Sequence, residues 1–170
     1  MTLNNYGAIA AVSGMLVLGS VGTALAARDA RPESRALKGT WLVEVQQRIC
    51  ATDAPLGAQF YALLTFAAGG TMTGTTSAPL FAPGQRTGDF GVWSYSGRRT
   101  FSAVSEAFLL ADSAATPPGL KRGLQRIAQT ITIPKNDPNT FNSVATVEFF
   151  DTNSNLLVSG CATATGQRFE

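Results

Sequence analysis

Any chemistry in this chain has to be done without an imidazole. Its 170 residues contain no histidine, which removes Ser-His-Asp and Cys-His nucleophile systems, H-E-x-x-H zinc chemistry and His-ligated haem or copper together. Two cysteines, Cys50 and Cys161, cannot build a structural zinc site, and neither a Walker loop nor a G-x-G-x-x-G between a strand and a helix occurs. Asp151-Thr152-Asn153-Ser154-Asn155 opens like a calcium loop, with side-chain oxygens at alternate positions. Leu156 stands where the sharp turn needs glycine and Ala162 where a bidentate Glu would close the shell, so the segment reads as a hairpin turn. The most plausible paired carboxylates within strands are Glu106 and Glu148, which could do acid–base work if buried at a suitable separation. Phe90, Trp93 and Tyr95 follow a Pro- and Gly-containing loop from Ala78 to Asp89. They read either as the rim of a ligand portal with the loop as its lid, or as core residues beside a packed crossover. No catalytic residue, metal site or cofactor is assigned, and the chain leans away from being an enzyme.

The elements that must position these residues are strands. Hydrophobic residues make up 45% of the chain and charged residues 14%, enough for one globular domain with a sizeable core. Strand-like runs cover about Thr40 to Cys50, Gln59 to Ala68, Thr71 to Ser77, Phe90 to Ser96, Arg98 to Leu110, Arg122 to Ile133, Phe141 to Phe150 and Leu156 to Thr165. Hairpin-length turn signals separate them at Gly69-Gly70, Ser96-Gly97, Asn136 to Asn139 and Asp151 to Asn155. Only Gly119 to Gln129 has any capacity to start as a short helix. Eight strands in a meander is the count that an up-and-down barrel needs, which makes the expected fold an all-β, eight-stranded antiparallel barrel.

Alternation assigns the faces. Trp41, Val43, Val45 and Ile49 oppose Glu44, Gln46, Arg48 and Cys50; Phe60, Ala62, Leu64 and Phe66 oppose Gln59, Tyr61 and Thr65. Phe101, Ala103, Ala107 and Leu109 oppose a set containing Glu106. Ile127, Ile131 and Ile133 oppose Arg122 and Arg126, and Phe141, Ala145, Val147 and Phe149 oppose Glu148. With the apolar sets inside, Glu44, Arg48, Glu106, Arg126 and Glu148 point outward and the lumen is neutral and mostly apolar.

Closure is predicted from the two ends of the sheet. If the first and last runs pair antiparallel, one register, loose by about a residue, puts Trp41 beside Arg168 and Cys50 beside Cys161. The cysteines then form a disulfide, with two free buried thiols as the alternative.

The N-terminus supplies the matching compartment. Residues 1 to 27 carry no charge until Arg28, run apolar from Ala8 through Leu25 and contain the A-x-A pattern Ala24-Leu25-Ala26. This predicts a signal peptide over residues 1–26, a charged leader over 27–38 and a barrel domain over 39–170, in a protein exported to the periplasm or the cell exterior. An uncleaved membrane anchor is the alternative; after cleavage no stable membrane association is expected. Net charge is +2 with scattered basic residues, so no nucleic-acid partner is indicated. Oligomeric state is left open.

Gly39-x-Trp41 on the first strand after a charged leader, Arg168 just beyond the last strand and the eight-strand meander together resemble the lipocalin and wider calycin superfamily. Leu63 to Phe66 through Thr71 to Thr75 also resembles a hairpin of the avidins. The resemblance implies that Trp41 closes one end of the barrel with Arg168 packed across its ring, and that Gly39, Trp41 and Arg168 are structural. The leading reading of the apolar lumen is that it binds a small apolar or weakly polar molecule, a hydrophobic ligand in the simplest case. The residues expected to line that lumen are Val43, Val45, Phe60, Leu64, Phe66 and Trp93, together with Phe101, Ile127, Ile131, Val147 and Phe149. Two other readings stay open: a cyclase- or isomerase-type barrel enzyme, which requires Glu106, Glu148 and Arg126 inside, and a solid barrel acting through its surface.

Overall fold

The structure, a computed structural model, describes residues 32–110 and 121–169. The expected signal peptide, the first part of the charged leader and the whole Ala111 to Leu120 connection lie outside these residues.

A single turn of 3-10 helix (Pro32–Arg35) leads into eight strands: β1 (Gly39–Arg48), β2 (Pro55–Phe66), β3 (Thr71–Thr76), β4 (Asp89–Gly97), β5 (Thr100–Leu110), β6 (Lys121–Thr132), β7 (Thr140–Phe150) and β8 (Leu156–Arg168). Each pairs antiparallel with its chain neighbour, and β1 pairs with β8, so the sheet is a closed barrel with no free edge. Of the expected Gly119–Gln129 helix start, Gly119 and Leu120 lie outside the described residues, and Lys121 to Gln129 belong to β6 instead. Residues 122 to 132 alternate more and less buried positions, and the strand pairs on both sides, with β5 and β7.

Strand ends depart from the sequence reading for local reasons. Arg98 and Arg99 both take left-handed backbone (φ 51° and 60°) and form the β4–β5 turn with Gly97, so β5 starts at Thr100. β1 stops at Arg48 because a turn follows in which Asp53, at φ 55°, donates its N–H to the Ile49 carbonyl. Ile49 is therefore outside the lumen, at 44% exposure, and Gln47 takes the inward position instead. A bulge opposite β2 falls at Gln46, whose Nε2 donates to the carbonyls of Leu56 and Gly57 across the irregularity.

One register runs the length of the closing seam: Trp41 opposes Arg168, and Arg48 opposes Cys161. Arg168 is thus the last residue of β8 and not a residue beyond it. Cys50 lies just past the end of β1 and still reaches Cys161, with Cα atoms 5.2 Å apart, to form the disulfide. Gly39 is at φ 127°, and a Cβ there would come within 2.8 Å of Arg168 Nη1, so only glycine admits the guanidinium. That guanidinium sits 4.3 Å from the Trp41 ring centroid and donates to the carbonyls of Lys38 and Ala36 at 2.7 Å. Burial lowers the Arg168 pKa, and the cation is held by these carbonyls and the ring. Trp41 Nε1 donates to the Leu37 carbonyl at 2.9 Å, so the leader and β8 seal this end together.

The lower half of the barrel is solid. Trp41, Phe66, Phe101, Phe141, Ile131, Met72 and Leu37 are all 2% exposed or less. Phe141 packs on Trp41 at 5.0 Å because Gly166 on β8 leaves room for its ring, where a Cβ would collide at 2.2 Å.

Candidate functional site: a half-open lumen

Above the Trp41 layer the lumen is open, with a cavity of about 200 Å³. Its existence follows from residue size. At this level the inward positions are Ala62 on β2, Ser105 on β5, Ser143 and Ala145 on β7, and Gly160, Ala162 and Ala164 on β8. Eight strands leave a lumen that large side chains fill, and these leave it unfilled. A cavity of about 150 Å³ already accommodates benzene, whereas drug-sized ligands need roughly 300 Å³ or more. The space therefore suits a molecule of about one ring.

Of the residues expected to line the lumen, Val43, Val45, Phe60, Leu64, Ile127, Val147 and Phe149 border this cavity. Phe66, Trp93, Phe101 and Ile131 lie below it in the packed core. Trp93 is 8% exposed, packs on Phe66 and Phe101, and donates Nε1 to the carbonyls of Ala67 and Thr71 at the β2–β3 turn. It plugs the closed end and does not rim a portal. Tyr95 packs on Phe101 at the same end.

The long loop between β3 and β4 does meet the cavity. Ser77 N donates to the Tyr61 carbonyl at one root, and Thr87 N donates to the Phe108 carbonyl at the other. Between these roots Phe81 reaches back over the mouth, 6.4 Å from the Phe149 ring and under the Arg86 guanidinium at 5.6 Å.

The wall below Phe81 corrects the expectation of a lumen without charges. Arg86 and Asp89 are an ion pair, each side chain 5% exposed, both bordering the cavity. Arg86 donates through Nη2 to Asp89 Oδ1, through Nε to Gln125 Oε1 at 2.5 Å and through Nη1 to the Thr87 carbonyl. Gln125, Ser105 and Ser143 are buried beside them, and Gln47 and Gln129 complete the polar lining. Sequence reasoning missed all of these. Arg86 lies in a loop with no alternation to read, and Gln125 and Gln129 share the inward face of β6 with Ile127 and Ile131.

The carboxylates singled out from the sequence are elsewhere. Glu106 and Arg126 form an ion pair, their side chains 41% and 44% exposed, and Glu148 opposes Arg126 in the next strand, so the three form a row across the outer face. Arg48, expected to point outward, borders the cavity, its Nε donating to Thr163 Oγ1 at 2.9 Å and its Nη1 to the Asp53 carbonyl. In the β7–β8 turn Asp151 accepts from Asn153 N, Asn155 N and Asn155 Nδ2. Its side chain is spent on the hairpin. Among the described residues no group of three metal-ligating side chains occurs. The chain matches no protein-family model, and no curated protein is similar to it in sequence.

Proposed function

We propose that this protein is an exported β-barrel that holds one small, mostly apolar molecule in the upper half of its lumen. The observation that carries this reading is the contrast within one barrel: the Trp41 half is packed with large buried side chains, and the other half keeps a cavity of about 200 Å³ beneath an aromatic loop. Packed interiors tolerate few voids, because unfilled volume costs stability. Apolar walls reward an occupant at about 25 cal/mol per Å² buried. Export is supported by the Cys50–Cys161 disulfide, which persists in oxidising compartments. Acid–base catalysis by Glu106 and Glu148 is not part of this reading, since both stand on the outer face.

Native mass spectrometry of the protein purified from its own host tests it. A retained mass of one small molecule, lost on denaturation, is expected; a bare polypeptide mass under conditions that preserve the fold would defeat the proposal. A second reading, contact with another protein through the outer wall, is favoured by one feature: Phe90, Val92, Val104 and Phe108 are 40–69% exposed on neighbouring strands β4 and β5.

A further inference from the structure

From the polar wall we infer the chemical class of the occupant: a neutral single-ring molecule bearing one head group that both donates and accepts a hydrogen bond, an alcohol in the simplest case. This rests on the lumen reading above and adds to it a head-group position and a selection by charge.

Arg86 and Asp89 compensate each other. An anion finds Arg86 already neutralised by Asp89, a cation finds Asp89 already neutralised by Arg86, and Arg48 at the cavity border is engaged with Thr163 Oγ1 and the Asp53 carbonyl, so either kind of ion brings a buried charge without a free partner. Only a neutral guest leaves the pair undisturbed. Yet the wall is not inert. The Gln125 carbonyl is committed to Arg86 Nε, which leaves its NH2 as a donor. Asp89 uses Oδ1 on Arg86, which leaves Oδ2 as an acceptor. The hydroxyls of Ser105 and Ser143 have no hydrogen-bond partner among the described residues, although their residues are 3% and 6% exposed. All four groups belong to residues that line the same cavity, and polar groups inside a protein ordinarily take a partner where one is offered. A hydroxyl head meets both needs, donating to Asp89 Oδ2 or a serine oxygen and accepting from Gln125 Nε2. The ring then lies among Val45, Phe60, Ile127 and Val147.

A matched series tests this on the full-length exported protein: toluene, benzyl alcohol, benzoate and benzylammonium, titrated by two-dimensional NMR with the Gln125 side-chain amide assigned. Benzyl alcohol should bind on the order of tenfold more tightly than toluene, the return on one or two neutral hydrogen bonds. Benzoate and benzylammonium should bind more weakly than toluene. The Gln125 amide resonance should move with benzyl alcohol and stay in place with toluene. Gln125→Leu should abolish the preference for benzyl alcohol while keeping toluene binding; should that variant not fold, Ser105→Ala/Ser143→Ala serves, with a reduced preference expected. Equal affinity for toluene and benzyl alcohol would overturn the polar head-group site and leave the lumen reading standing. Tightest binding by benzoate or benzylammonium would overturn the neutral selection. Absence of binding by all four would remove the lumen reading and this inference together.

Discussion

Replacing Arg86 with methionine isolates the energetics of the lumen wall. The substitution keeps the length and apolar stem of the side chain, including its packing under Phe81, and deletes the cation. Asp89, 4% exposed, is then a carboxylate with no countercharge, and Gln125 Oε1 loses its donor. Removing one partner of a buried ion pair costs about 3–5 kcal/mol, much of it the stranded charge. Adding Asp89→Leu removes that charge and fills its volume with carbon. Replacing a whole buried pair by apolar residues is close to neutral, so the double variant should lie within about 1–2 kcal/mol of the parent. The coupling energy across the cycle is thus about 2–4 kcal/mol and favours the double change. Urea unfolding followed by the fluorescence of buried Trp41 and Trp93 measures all four corners. A single-variant penalty below about 1 kcal/mol, or additive penalties, would mean that the pair is solvated and that the wall is not the dry site described.

Ala164→Leu places a larger side chain in the cavity; it should abolish retention of a small molecule in native mass spectrometry while changing stability by no more than about 1–2 kcal/mol in denaturant unfolding. The disulfide closes a loop with a sequence separation of 111, so Cys50→Ser/Cys161→Ser should lower unfolding free energy by roughly 4 to 5 kcal/mol. Combined with Trp41→Ala, which acts on the same β1–β8 seam, the loss should be non-additive by about 1 kcal/mol or more. The Asp151 carboxyl, lowered first by the Asn155 side-chain hydrogen bond and then by its backbone one, should titrate below the ordinary aspartate range in NMR. A depressed folded pKa stabilises the hairpin above the unfolded value and loses that contribution as pH falls through the folded one, so the β7–β8 turn should loosen only in strong acid.

Closure was legible because the seam carries unusual residues: a tryptophan with an arginine and a cysteine with a cysteine fix a register that aliphatic strands would leave free. The faces of β2, β5, β6 and β7, and of β1 as far as its bulge at Gln46, were legible from period-two alternation, down to the outward row of Glu106, Arg126 and Glu148. The cavity was not. It depends on the joint smallness of Ala62, Ser105, Ser143, Ala145, Ala162 and Ala164, which stand side by side only after eight strands are in register. The ion pair was hidden for a related reason. Asp89 is the first residue of β4 and Arg86 sits in the loop before it, and a charged residue next to Gly88 reads as solvent-facing until β5 and β6 are seen to cover it. Trp93 misled because its nearness in sequence to that loop suggested the mouth, while four residues of extended strand carry it to the opposite end.

Electron density in the upper lumen is the most direct test for a bound molecule. A crystal structure of the protein purified from its own host should show continuous density, larger than water, among Val45, Phe60, Ile127 and Val147, with one end within hydrogen-bonding distance of Gln125, Asp89, Ser105 or Ser143. Separate water peaks along that wall, or side chains collapsed into the cavity, would contradict it.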